Sequence, residues 1–277
     1  MIRIRILGSA AGGGLPQWNC ACANCRDARA GRIPRATQSS VALSGNGRDW
    51  LLVNASPDLP VQLEAFSPLQ PTADSPRNSP IAAVCLTSAD IDHALGLVLM
   101  RQESSLAVYA SPAIRDELSW IDNLLARFCQ IDWREPPREF APIMADVDLR
   151  AIPCVPSLAY VIRDAITHKQ ALIAPALRDL TDELRHALQT AHVILFDGTF
   201  WSEDELKSFR AGARTSREMG HIPVEESLSL LRSAPAPHKI YMHINNTNPM
   251  LQPQSKERRQ VEAAGVIVGY DGLELQL

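Results

Sequence analysis

The stretch Ala83-Val84-Cys85-Leu86-Thr87-Ser88-Ala89-Asp90-Ile91-Asp92-His93-Ala94-Leu95-Gly96-Leu97 constrains this chain more than any other. A short apolar run stops at Thr87 and Ser88, polar residues follow at once, and apolar residues resume at helical spacing through Leu95, Leu97 and Val98 to Met100. That order specifies a strand feeding a helix through a turn. Three side chains able to ligate a metal, Asp90, Asp92 and His93, fall within four consecutive positions of the turn. The carboxyl end of a buried strand is where α/β architectures place their active sites. An Asp helix cap beside a packed histidine would read the same way, so the rest of the chain has to decide.

Two further apolar runs end in the same manner. Ala171 to Ala174 reads as a strand and Leu177 to Gln189 as a helix, after which the strand Val193 to Phe196 ends at Asp197-Gly198-Thr199. Lys239 to Met242 then leads into His243-Ile244-Asn245-Asn246-Thr247-Asn248-Pro249. If these strands lie in one parallel or mixed sheet, their carboxyl ends share an edge, and residues roughly 50 to 150 positions apart meet there. Gly198 permits close backbone approach after Asp197, and the Asn and Thr residues after His243 offer hydrogen bonds that would orient its imidazole. His221, in Met219-Gly220-His221-Ile222-Pro223, falls in a loop and is a candidate acid, base or proton relay, with a packed loop histidine as the alternative. His168, His186, His192 and His238 sit in polar or helical surface patterns.

The earlier part of the chain follows simple rules. Met1 to Leu7 alternates as a strand, and the glycine-rich turn Gly8 to Gly14 lacks both the GK[ST] ending and the following helix of a phosphate loop. Ser39 to Leu43 and Asp49 to Val53 form a hairpin over Ser44-Gly45-Asn46-Gly47, and Leu59 to Phe66 a helix. The proline-rich segment Ser67 to Pro80 is a surface loop. Leu106 to Ala110 is a strand, and Ser111 as cap with Pro112 at the first helical position starts a helix running to Arg127.

Of six cysteines, three crowd into Cys20-Ala21-Cys22-Ala23-Asn24-Cys25, while Cys85, Cys129 and Cys154 stand singly in apolar surroundings. In a reducing compartment the first group has the spacing of metal ligands, and soft thiolates favour a closed tetrahedral zinc site. Such a zinc is structural, pinning an irregular loop around residues 16–30 that has few apolar groups to order itself. The fourth ligand is Asn246 or a residue remote in sequence. With 46% hydrophobic residues, a net charge of -4 and a pI near 6.0, the chain is not a general nucleic-acid binder. It holds no apolar run of about 18 residues that would span a membrane. Its first residues enter a strand directly, from which a cytoplasmic protein is expected.

Read together, Gly8-Ser9-Ala10-Ala11-Gly12-Gly13-Gly14, Pro16-Gln17-Trp18-Asn19-Cys20, Asp90-Ile91-Asp92-His93, Asp197-Gly198-Thr199, Met219-Gly220-His221 and His243 to Pro249 resemble the coenzyme PQQ (pyrroloquinoline quinone) synthesis protein B family, within the metallo-β-lactamase superfamily, along nearly the whole chain. The resemblance implies a single domain over residues 1–277, an αββα four-layer sandwich of two mixed β-sheets with helices outside, and a metal at one edge. Against the superfamily pattern HxHxDH, Ser88 and Asp90 stand in place of the first two histidines, and no histidine follows Ile152-Pro153 before His168. The region from Ile152 to Asp164 also looks shorter than in family members. The resemblance therefore implies one catalytic metal, on Asp92, His93, Asp197 and His243, with Asp90 and His221 as candidate catalytic residues.

Two histidines and a carboxylate suit iron(II) with open positions, and zinc with an activated water is chemically acceptable as well. The function implied is hydroxylation of the tyrosine ring of a Glu-Tyr precursor by mononuclear iron(II) during PQQ synthesis. The alternatives are a carrier of PQQ or its precursor and a metal-dependent hydrolase. Arg214 or Arg217 is a candidate for holding substrate carboxylates, and a homodimer is compatible with the sequence but unsupported by it.

Overall fold

The computed structural model describes residues 1–154 and 157–277, so Val155 and Pro156, which belong to the histidine-free stretch noted above, lie outside the described residues. The strands are Arg3–Gly8 (β1), Ser40–Ser44 (β2), Trp50–Val53 (β3), Ile81–Cys85 (β4), Ser105–Tyr109 (β5), Gln130–Arg134 (β6), Ala141–Met144 (β7), Val147–Cys154 (β8), Ser157–Asp164 (β9), Gln170–Ala174 (β10), Val193–Asp197 (β11), His238–Met242 (β12), Ile267–Val268 (β13) and Glu274–Gln276 (β14). They form two seven-stranded sheets, ordered β14-β1-β2-β3-β4-β5-β6 and β13-β12-β11-β10-β9-β8-β7. Both are mixed. β3, β4, β5 and β6 run parallel, as do β10, β11, β12 and β13, while antiparallel pairs complete each sheet.

The two sheets face each other across one apolar cluster in which Ile6, Leu52 and Val84 of the first meet Tyr160, Ile173 and Leu195 of the second. The outer face of the second sheet is also covered. Ile194, Phe196 and Tyr241 pack there against Leu184 and Leu188 of the helix Asp182–Thr190 and Leu231 of the helix Val224–Ser233. Burial on both faces is why β10 and β11 read as continuous apolar runs instead of alternating. The sandwich with helices outside is the fold the sequence resemblance implied. No helix among the described residues is long and apolar enough to cross a membrane.

Several expectations change. β4 lies in the first sheet and β11 and β12 in the second, so the ligand-bearing strand ends meet across the edge of the sandwich and not within one sheet. The helix expected from Ser111 to Arg127 breaks at Leu118 into Pro112–Glu117 and Ser119–Leu125. The one expected from Leu177 begins only at Asp182, capped by the Thr181 hydroxyl on Leu184 N–H. Leu177 lies before it, and its N–H is donated to Asp197 Oδ2 at 3.0 Å. After β4 the chain makes two one-turn helices, Ile91–Ala94 and Gly96–Leu99. A Cβ on Gly96 would fall 2.4 Å from Ser56 O, so only glycine lets this segment lie against the loop after β3.

Candidate metal centre

His93 is fully buried just past the end of β4, and its tautomer follows from its neighbours. Ser88 Oγ donates to Asp90 Oδ2 at 2.7 Å and Thr87 Oγ1 donates to Asn54 Oδ1 at 3.0 Å, so both hydroxyl protons are committed elsewhere. The same two oxygens lie 2.7 and 3.2 Å from His93 Nδ1, which must therefore carry the proton and donate it. Nε2 is left as a bare acceptor, buried and without a hydrogen-bond partner. Such an atom costs about 1–3 kcal/mol if nothing meets it.

His243 follows β12 in the left-handed region, at φ 57°, a conformation that a non-glycine residue keeps only when its surroundings impose it. Its Nδ1 lies 2.8 Å from Thr199 Oγ1, whose own proton goes to Asp197 Oδ1 at 2.7 Å. Nδ1 is again the donor, and Nε2 points at Asp92 Oδ2 from 3.0 Å. Asp92 Oδ2 is also 3.8 Å from His93 Nε2, and the two rings meet edge to face with centroids 4.9 Å apart. One ligand atom from each of Asp92, His93 and His243 lies within 4.8 Å of the other two. Two imidazole acceptors and a carboxylate turned toward one point repel one another unless a cation or a proton stands between them. The donor set thus fits a metal.

The same contacts shift the protonation of all three groups. Burial disfavours the Asp92 carboxylate, but the His93 and His243 imidazoles outweigh it and hold the pKa far below the ordinary carboxylate range. Burial pushes His93 down to about 4. On His243 burial acts in the same downward sense, yet the hydrogen bond and charge of Asp92 prevail and raise it. Gly12 lies over this corner, where a Cβ would meet the Asp92 carboxyl carbon at 3.4 Å.

Asp197 and His221 form an adjoining pair. Asp197 is fully buried and accepts from Thr199 N–H, Thr199 Oγ1 and Leu177 N–H, while His221 Nδ1 lies 2.8 Å from its Oδ2. His221 stacks on His243 with centroids 5.2 Å apart, and Asp197, His221 and His243 make a second metal-capable trio. The structure therefore places Asp197 beside His221 first, and no trio among the described residues unites Asp197 with Asp92 and His93. His221 is a buried partner of Asp197 and not an open loop residue, although its side chain keeps 10% exposure.

Asp90 is exposed at the start of the first one-turn helix and joins no metal-capable trio among the described residues. Arg217 is occupied by Glu203 and Glu226, at 2.9 and 2.6 Å, which removes it as a free carboxylate binder. Arg214 is exposed and makes no ion pair among the described residues. His168, His186, His192 and His238 are all exposed. Reading the sequence missed the hydroxyls that fix the two tautomers. Thr199 follows Asp197 by two residues and Ser88 precedes His93 by five, so adjacency to a ligand was the available signal; Asn54 carried none.

The sulfurs of Cys20, Cys22 and Cys25 form a third cluster, at the start of the helix Ala23–Arg29. The Asn246 side-chain amide lies 3.1, 3.7 and 3.3 Å from the three sulfurs, at the open corner of the trio. Burial, with the neighbouring thiols, pushes Cys22 up to about 11. Burial also acts on Cys20, but hydrogen bonds from Cys22, Cys25 and Asn246 bring its pKa below the ordinary thiol value. Cys85, Cys129 and Cys154 are buried apart from this cluster.

Residues 49–244 match the beta-lactamase superfamily domain. Coenzyme PQQ synthesis protein B of Cupriavidus necator is 38% identical over an alignment of 307 positions covering 100% of both chains. The protein of that name from Acinetobacter baumannii (strain ACICU) is 36% identical, again across 100% of each. The crystal structure of Zn(2+)-bound PqqB from Methylobacterium extorquens superposes with a TM-score of 0.89 at 36% identity, covering 99% of this chain and 100% of that one. A diphosphatase of the PhnP family shares the fold, with a TM-score of 0.76 at 19% identity.

Proposed function

The chain belongs to the coenzyme PQQ synthesis protein B family of the metallo-β-lactamase superfamily, and from that premise we propose that it acts in PQQ biosynthesis as a mononuclear iron(II)-dependent hydroxylase of the tyrosine ring in a Glu-Tyr precursor. The observation that carries this reading is the convergence of the unpartnered Nε2 of His93, the Nε2 of His243 and the Asp92 carboxylate on one point. Asp92, His93 and His243 would hold iron(II), which would supply the redox chemistry for oxygen activation. Zinc suits the same ligands, and the solved relative from Methylobacterium extorquens is Zn(2+)-bound.

The chain's own groups prepare the site. Ser88 and Thr87 hold His93, and Thr199 holds His243, each in the tautomer that presents Nε2. Ser88 occupies a position where the superfamily pattern has a metal-binding histidine, so the residue that would have ligated a second metal here orients the ligand of the first. Asp197 fixes His221 through Nδ1, leaving the far nitrogen of a slightly exposed ring to hold or pass a proton during turnover. Asp90, linked to Ser88, faces solvent beside the metal ligands and is the second candidate for contact with substrate. Cys20, Cys22 and Cys25, with Asn246, hold a structural zinc. The partner is the small precursor or PQQ itself, met in the cytoplasm.

The reading is tested with protein purified without oxygen, reconstituted with iron(II) and given a Glu-Tyr peptide, a reductant and isotope-labelled dioxygen. The expected product carries one labelled oxygen on the tyrosine ring, the other leaving as water with two electrons from the reductant. Unaltered peptide with iron bound, or cleavage of the peptide by the zinc-loaded protein, would contradict it.

A further inference from the structure

Two metal-capable clusters meet one short segment of chain. His243 supplies an imidazole to one, and Asn246, three residues on, lies against all three sulfurs of the other. A buried polar chain joins them a second time. Asn24, between Cys22 and Cys25, donates through Nδ2 to Asn246 O and Asn248 O, both at 2.9 Å. Asn248 Nδ2 donates in turn to Gly198 O at 3.0 Å and Thr199 O at 3.3 Å, and Thr199 Oγ1 accepts from His243 Nδ1. Asn24, Asn246, Asn248, Thr199 and His243 are each 4% exposed or less, so water offers no substitute partners for this chain of contacts.

The segment has reason to depend on these ties. His243 holds a left-handed backbone conformation, and residues 244–248 belong to neither a strand nor an α-helix. An amide ligates a cation through its oxygen, whereas here Nδ2 faces the sulfurs. Metal entry at the cysteines would therefore turn the Asn246 amide over, exchange its hydrogen bonds to sulfur for one bond to the ion, and stiffen the segment that ends in His243.

We propose that Asn246 is a positioning residue through which metal occupancy at Cys20, Cys22 and Cys25 raises the metal affinity of the Asp92, His93 and His243 site. The inference rests on the reading that both clusters bind metal. By linkage the effect is reciprocal, each metal strengthening the other.

The test uses the metal-free full chain, titrated with cobalt(II) with and without prior zinc loading of the cysteines; thiolate-bound and imidazole-bound cobalt differ in absorption. In the wild type, zinc loading is expected to raise cobalt affinity at the imidazole site about tenfold. Asn246→Ala should lose that enhancement while keeping the wild-type circular dichroism. Asn246→Asp, which retains an oxygen ligand, should restore it. Thr247→Val, which cuts the contact from Thr247 Oγ1 to Glu205 but leaves the sulfurs alone, should leave it unchanged. Equal cobalt affinity with and without zinc in the wild type, or an undiminished enhancement in Asn246→Ala, would overturn the coupling alone. Failure of cobalt to enter the imidazole site of the wild type at all would overturn the metal reading with it.

Discussion

The sulfur cluster is assembled from one hexapeptide and a single distant side chain, and Cys20 and Cys22 keep part of their surface in solvent. The imidazole cluster draws on segments 150 residues apart, from the ends of strands in two different sheets, and its histidines are buried to 4% exposure or less. Their supports differ as well. Around the sulfurs the apolar support is small, chiefly Leu15, Cys25, Ala28 and Ile33, and the chain is held largely by hydrogen bonds from Asn24, Arg29 and Gln252. The imidazoles stand on the main core, their tautomers set by hydroxyls on rigid strand ends. On the proposed reading, a metal at the first place would order a loop, and a metal at the second would meet side chains already held in place.

The largest expected effect separates the two. His243→Ala should weaken metal binding at the imidazole site by about 100-fold or more, the upper end for loss of an ordering or ligating group, and leave the cysteine zinc in place. Cys22→Ser should lose the zinc and lower the melting temperature. Metal analysis of both variants checks this, and loss of the same metal from both would break the comparison. Gly198→Ala probes the rigid base of the imidazole site. Its Cβ would fall 2.8 Å from Tyr241 Cβ and 3.1 Å from Met242 O, and should cost roughly 1–3 kcal/mol in denaturant unfolding. Retained wild-type stability would mean the end of β12 is softer than its packing implies.

Ser88→Ala removes the oxygen that accepts from His93 Nδ1 and should lower metal affinity at that site about tenfold without altering the fold. The smallest effect concerns pH. Burial pushes Glu205 up to about 7 against the hydrogen bonds from Thr247 Oγ1 and Trp201 N–H. Because its folded pKa is raised, the stability Glu205 contributes is fully present below the ordinary carboxylate range and is lost as pH rises through about 7. The wild type should therefore lose about 1 kcal/mol per pH unit between roughly pH 5 and 6.5 from this group, and Glu205→Gln should flatten that slope. Identical slopes in urea titrations of the two proteins would contradict it.

What could be read from the sequence divides along the same line. Cys20, Cys22 and Cys25 declare themselves by spacing, because their convergence needs only local chain geometry. Asp92, His93 and His243 were legible as metal-capable side chains at strand ends, and the family resemblance supplied the sandwich that joins them. Strands β6 to β9 were not anticipated, since Pro142 and Pro153 and the mixed residues of Gln130–Arg134 weaken any apolar period. The pairing of His221 with Asp197 was also hidden. It depends on a strand end and a loop 24 residues apart coming together, and no local pattern encodes that. Leu177 was assigned to a helix because its apolar spacing fits one; the helix instead starts at Asp182, behind the Thr181 cap.

The most direct measurement is elemental analysis of protein purified without oxygen, made on the wild type and on His243→Ala side by side. Thiolate-bound zinc is expected in both, and a second metal, iron, in the wild type alone. Equal metal content in the two proteins, or zinc confined to the cysteines of the wild type with nothing on Asp92, His93 and His243, would contradict it.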